Sequence, residues 1–161
     1  MTPPSAKSPL DRLAALGLTL PPAAAPVANY VPFTRAGDLL FVSGQLPVDA
    51  TGAINPTQKG KLGDSVTLED GQAAAARAAL NVLAQANAAV GDLSRLRALR
   101  LGGFVNSTPD YDKIPQVLNG ASDLIANVLG EAGRHARFAV GVAQLPLNAA
   151  VEVEAVFQIL D

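Results

Sequence analysis

The chain has 161 residues, and it contains no cysteine, no tryptophan and only one histidine. Without cysteine it can form no disulfide, and it has neither a thiol nucleophile nor a thiolate ligand for a metal. A single histidine argues further against a zinc site. The formal net charge is −2. This balance argues against a nucleic-acid partner, because phosphate binding needs a basic face.

Long apolar runs are also missing, since none approaches the length of a membrane span. The apolar stretch at 10–25 is interrupted by charged residues and prolines and follows no basic leader, so we do not expect a signal peptide. These absences favour a cytoplasmic protein without a membrane partner. Hydrophobic residues, by contrast, make up 49% of the chain, which is enough for the core of one domain of this length.

The order of the predicted elements indicates an α+β fold behind an N-terminal extension. The extension, residues 1–26, combines a short helix, for which Ser8 is a favourable N-cap, with a linker rich in proline and alanine. One domain then covers residues 27–161. Its predicted elements are strands at 30–35 and 39–43, a helix at 67–90, a strand at 96–105, a helix at 110–129 and two terminal strands. This order predicts a mixed sheet with two helices on one face.

The two terminal strands carry the charged residues that first point to a site, and we expect them to form a β-hairpin. Strand side chains alternate between two faces. Glu152 and Glu154 therefore oppose the apolar face of the last strand, and Arg137 opposes that of the strand before it. A guanidinium beside carboxylates, away from the core, suits a small carboxylate-bearing ligand. From residue type alone, however, a structural ion pair is the more frequent reason for such an arginine.

Two motifs resemble the RidA family, which is also called YjgF or L-PSP. The terminal strands match the family's A-R-x-x-x-x-V-A-x-L-P and V-E-V-E-A, and residues 40–48 match its strand that ends in S-G-Q-x-P. The resemblance covers residues 29–160, and the segments 29–32 and 103–107 look most like a less characterised, YjgF-like branch. It implies a chorismate-mutase-like fold. It also implies a homotrimer whose three sheets form a central barrel, with sites in clefts between neighbouring subunits.

The resemblance also implies an activity. Family members are enamine/imine deaminases, hydrolases that convert reactive 2-imino acids to 2-keto acids and ammonia without a metal or organic cofactor. By resemblance, Arg137 holds the substrate carboxylate, Glu152 positions water, and backbone groups near Ala139 hold the imine. A structural pairing with an arginine explains Glu152 equally well, and for Glu154 we favour the structural interpretation.

Four further residues match substrate-binding positions of the family. Tyr30 matches a tyrosine at the cleft edge, although a tyrosine that opens a strand is more often a packing residue. Ser43 and Gly44 belong to the S-G-Q signature, in which glycine allows close backbone approach. Asn119 matches a family asparagine on the second helix. Phe138 departs from the family, since a small residue usually follows the arginine, and this leaves the substrate open.

Two other functions compete with the deaminase. One is a non-catalytic trimer that binds a small carboxylate metabolite, because a fold does not by itself define a function. The other is an endoribonuclease, the activity of an old family label, which the acidic balance and the single histidine disfavour.

Overall fold

The computed structural model describes residues 7–26 and 28–161. The sheet and helices of these residues form the α+β fold that the sequence predicts. In chain order the elements are α1 (Pro9–Ala15), β1 (Phe33–Ala36), β2 (Leu39–Gln45), α2 (Leu68–Val90), β3 (Leu96–Asn106), α3 (Ile114–Leu129), β4 (Ala136–Val142) and β5 (Val151–Ile159). No helix among the described residues is long and apolar enough to cross a bilayer.

The five strands form one mixed sheet in the order β1-β2-β5-β3-β4. Neighbouring strands are antiparallel except β3 and β4, which are parallel. The predicted terminal hairpin is therefore wrong, because β3 lies between β4 and β5. Chain proximity favoured a hairpin, but the eleven-residue β3 offers a long edge on each side. The crossover through α3 returns the chain parallel to β3, as such helical crossovers do.

Local sequence signals explain where the two long helices begin and end. Thr67 caps α2, since its side chain accepts a hydrogen bond from the backbone N of Asp70 at 3.1 Å. Gly91 ends α2 in the left-handed region, at φ 78°. The predicted bounds of this helix are confirmed. The predicted start of α3 at 110 is four residues early, because the helix begins at Ile114 with a proline in its first turn.

Both long helices cover the same face of the sheet, as predicted. Residues of β5 that point to this face are fully buried, among them Val151, Val153 and Phe157. Alanines along α2 allow the two helices to pack closely. At Gly120 of α3 a Cβ atom would lie 2.1 Å from the backbone oxygen of Gln72, so only glycine fits this crossing.

The N-terminal extension packs against the domain. Leu13 of α1 is 1% exposed within the common core. Arg12 donates from Nη1 to the backbone oxygen of Val128 at 3.2 Å. Farther along, Gln85 donates from Nε2 to the backbone oxygen of Ala24 at 2.7 Å. These contacts tie both the helix and the linker of the extension to α2 and α3.

No helix of the described residues covers the other face of the sheet, and this face carries apolar side chains. Phe41 and Val140 on this face are 42% and 43% exposed. Phe104 and Phe138 stack edge to face, with ring centroids 5.5 Å apart. An apolar sheet face of this kind is typical of a surface that associates.

Candidate functional site

Arg137 lies on the helix-covered face of β4, at the edge of the sheet. In the sheet register Arg137 lies beside Leu101 of β3, and Leu101 lies beside the core residue Ala155 of β5. Paired residues of neighbouring strands share a face, so all three point toward the helices. The Nη1 of Arg137 donates to Asn119 Oδ1 at 3.0 Å and to Ser122 Oγ at 3.3 Å. The structure thus brings together Arg137 and Asn119, two of the residues predicted from sequence.

Arg137 and the two glutamates lie on opposite faces of the sheet, contrary to the prediction. Glu152 pairs with Phe104, and Glu154 pairs with Gly102, whose other neighbour is Phe138. The prediction assumed that both terminal strands turn their apolar side toward the same buried face of the sheet. Phe138 instead points to the uncovered face, where Phe104 packs against it. Apolar alternation therefore could not identify the buried face of this strand.

The pocket around Arg137 contains polar side chains from α3 and from the segment before β4. Its lining includes Asn119, Ser122, Asp123 and His135. Ser122 Oγ lies 3.0 Å from Nε2 of His135, whose Nδ1 lies 2.6 Å from the backbone oxygen of Gly133. Among the described residues Arg137 forms no salt bridge. Both of its side-chain hydrogen bonds use Nη1 and go to neutral acceptors, so Nε and Nη2 remain for an anion.

Glu152 lies half-buried on the uncovered face, and this burial raises the pKa of its carboxyl group. It makes no side-chain hydrogen bond or ion pair within the described chain, so the structural pairing considered for it is absent there. Glu154 is different, since it pairs with Arg100 at 2.9 Å, as its structural interpretation requires.

Gly44 touches Glu152 directly. A Cβ atom at Gly44 would lie 2.2 Å from Glu152 Oε1, so the carboxylate occupies the space that any side chain would need. This contact joins the S-G-Q motif of β2 to the V-E-V-E motif of β5. The close approach expected of a glycine in this motif is therefore made to the side chain of Glu152.

The remaining predicted residues have distinct surroundings. Tyr30, which is 52% exposed, lines a pocket together with Gly44. Ser43 donates from Oγ to the backbone oxygen of Val31 at 2.9 Å. This hydrogen bond links β2 to the segment before β1 and uses the hydroxyl proton of Ser43. Ala139 lies two residues after Arg137 on the same strand face and packs against the core.

The candidate residues thus form two groups on opposite faces of one sheet. Arg137, Asn119 and Ala139 lie on the helix-covered face at the β4 edge, and Glu152 and Gly44 lie on the other face. Ser122 was missed by the sequence analysis. It stands three residues after Asn119 on α3, and residues at that spacing share one side of a helix. That spacing is the signal that could have found it.

The fold and the two groups define a class: α+β proteins of the chorismate-mutase-like type. A protein family described as "YjgF/chorismate_mutase-like, putative endoribonuclease" matches residues 10–159. The chain belongs to this family, the RidA/YjgF/L-PSP family.

Individual relatives are similar to this chain over most of its length. "Protein TCP17" of Trypanosoma cruzi is 53% identical over 146 residues, which make up 89% of each chain. The crystal structure of Atu1372 from Agrobacterium tumefaciens is 51% identical, with a TM-score of 0.86, and the match covers 94% of this chain and 92% of that one. RidA from an Antarctic Psychrobacter is 28% identical, with a TM-score of 0.59, and the match covers 87% and 94% of the two chains.

Proposed function

We propose that this protein is a RidA-like enamine/imine deaminase that hydrolyses 2-imino acids to 2-keto acids and ammonia. The observation that carries the proposal is the state of Arg137. The residue is partly buried, and its guanidinium is held by neutral acceptors and has no carboxylate partner within the described chain. A positive charge of this kind, with a free N–H edge, suits the carboxylate of a small acid.

The reaction needs little machinery beyond that clamp. Arg137 fixes the carboxylate and so orients the adjacent C=N carbon for attack, which converts an encounter into a near-attack geometry. Water adds to this carbon, and the tetrahedral adduct then expels ammonia to leave the 2-keto acid. Burial raises the pKa of Glu152, which makes this carboxylate a better acceptor for the proton of the attacking water. No metal or organic cofactor enters the scheme.

The site is proposed to form between the subunits of a homotrimer. Within one chain Arg137 and Glu152 lie on opposite sheet faces, so a small molecule cannot contact both. A neighbouring copy that covers the exposed apolar face would bring its own β4 edge to this face. The exposed side chains of Phe41 and Val140 support such an association.

Hydrolysis of 2-iminopropanoate tests the proposal. We expect turnover by the wild type, loss of kcat/KM in Arg137→Ala, and no change in the matched control Arg35→Ala. Arg35 is an exposed arginine of β1 whose Nε donates only to the backbone oxygen of Gly37. If Arg137→Ala keeps the wild-type rate, the chemistry lies elsewhere.

A non-catalytic protein that binds a small carboxylate metabolite is the second candidate. The position of Phe138 favours it, because this ring follows Arg137 where deaminases of the family usually have a small residue. Binding of pyruvate that depends on Arg137, without turnover of 2-iminopropanoate, would support this candidate over the enzyme. An endoribonuclease is disfavoured, because the formal net charge of −2 does not favour binding to RNA phosphates.

A further inference from the structure

The pocket that Tyr30 and Gly44 line is walled in part by the N-terminal extension. It has a volume of about 290 Å³, and its aliphatic lining includes residues 24–26, Leu46, Val48 and Leu147. None of its lining residues is charged. Gly44 belongs to the same lining and contacts Glu152, so this glycine is the neighbour that the pocket and the carboxylate share.

The wall formed by the extension is fixed in place. Gln85 of α2 is 2% exposed, and its Nε2 donates to the backbone oxygen of Ala24 at 2.7 Å. A buried amide that binds a linker in this way holds it at one distance from the sheet, because breaking the bond would leave the amide unsatisfied. This hydrogen bond therefore holds one wall of the pocket against α2.

Leu147 stands at this pocket in a conformation that disfavours leucine. Its backbone has φ 56° and ψ 18°, and 63% of the residue is exposed. A left-handed conformation is strained for a leucine, and exposure forfeits the gain from burying its side chain. Glycine or asparagine would satisfy the backbone better, so the fold alone gives no reason for leucine here.

The residues around Leu147 hold this strained turn rigidly. The backbone N of Asn148 donates to the oxygen of Leu145 at 3.1 Å. Its side-chain oxygen accepts from Gln144 at 3.0 Å and from Asn106 at 3.2 Å, and Asn106 is fully buried. A strained residue that its surroundings fix in this way is typical of a functional position.

We propose that this pocket is the subsite for the side chain of the substrate, and that Leu147 is its specificity-determining residue. The preferred substrates are then 2-imino acids with branched or larger aliphatic side chains. This inference rests on the proposed deaminase function for the carboxylate end of the ligand. The apolar end is argued from the pocket alone, so the two can fail separately.

The test uses backbone amide NMR and titration with three probes: pyruvate, 4-methyl-2-oxopentanoate, and 4-methylpentan-2-one, which has the branched chain but no carboxylate. We expect both branched probes to shift the amide signals of Ala25 and Leu147. We also expect 4-methyl-2-oxopentanoate to bind more tightly than pyruvate. In Leu147→Asn its affinity should fall about tenfold, the factor that corresponds to burial of roughly two methylene groups. Pyruvate affinity should not change.

Leu16→Asn is the matched control, since Leu16 is 46% exposed and does not line this pocket. Asparagine tolerates φ above zero, so Leu147→Asn should not lower the melting temperature, and Leu147→Gly provides a second variant. If neither branched probe shifts the pocket signals, the subsite is wrong even where pyruvate binds. If 4-methylpentan-2-one shifts them while pyruvate does not bind, the subsite stands and the carboxylate clamp fails.

Discussion

Replacing Arg137 by alanine is the most informative single perturbation of the candidate site. The substitution removes the hydrogen bonds from Arg137 to Asn119 and Ser122. Both acceptors lie near solvent, so water can take the place of the guanidinium as their donor. We therefore expect little loss of stability, within about 0.5 kcal/mol. The loss in ligand binding should be larger, because Nε and Nη2 are free for a charge-assisted pair with a carboxylate.

The size of the binding loss follows from that pair. Hydrogen bonds to charged groups contribute about 1.5–3 kcal/mol, which corresponds to roughly 10- to 150-fold in affinity. Titration calorimetry with pyruvate measures it directly. Arg137→Lys should recover only part of the affinity, because lysine keeps the charge but loses the planar fork. Unchanged pyruvate affinity in Arg137→Ala, with the melting temperature preserved, would refute the clamp.

Three further predictions concern the other face of the sheet. Gly44→Ala should displace the carboxylate of Glu152, since the new Cβ would lie 2.2 Å from Oε1. We expect kcat to fall while the melting temperature changes little, because the end of a half-buried glutamate can move aside; a fully active variant would show that this contact is not needed. Burial raises the pKa of Glu152 in the folded chain above its unfolded value, so stability should decline as pH rises from the ordinary glutamate pKa toward the folded one. Glu152→Gln should remove that decline in melts recorded against pH, and an unaltered pH profile would argue that Glu152 is not desolvated. Phe41→Asp should weaken the proposed trimer in light scattering, whereas Leu10→Asp, at an exposed leucine of α1, should leave its mass unchanged; equal masses for the two variants would place the interface elsewhere.

The fold was largely predictable because its signals are local. The cap at Thr67 and the glycine at Gly91 mark the ends of α2, and the alternation in β5 correctly separates its buried residues from Glu152 and Glu154. Strand pairing was not local. Nothing in the terminal strands indicates that β3 inserts between them, since this depends on long-range pairing of a strand from elsewhere in the chain.

Sequence motifs selected the candidate residues, but they did not predict how these residues are arranged. Motif positions pointed to Arg137, Glu152 and Gly44 as candidates, and the structure brings Gly44 into contact with Glu152. The prediction assigned Arg137 to the wrong face of the sheet. Both faces carry apolar residues, so the alternation in β4 is compatible with either face being the buried one. Phe138 packs on Phe104, and this contact places Phe138 on the uncovered face and Arg137 on the helix-covered face. Tertiary contact decided what periodicity could not.

Active-site complementation tests the central claim, a site shared between subunits, most directly. Arg137→Ala and Glu152→Gln chains are each expected to lack activity, and they are co-refolded in equal amounts before 2-iminopropanoate hydrolysis is measured. If each site takes its arginine and its glutamate from different copies of a trimer, random mixing leaves about a quarter of the sites intact. The account predicts that fraction of wild-type turnover. An inactive mixture, with mixed trimers verified by mass, would contradict it.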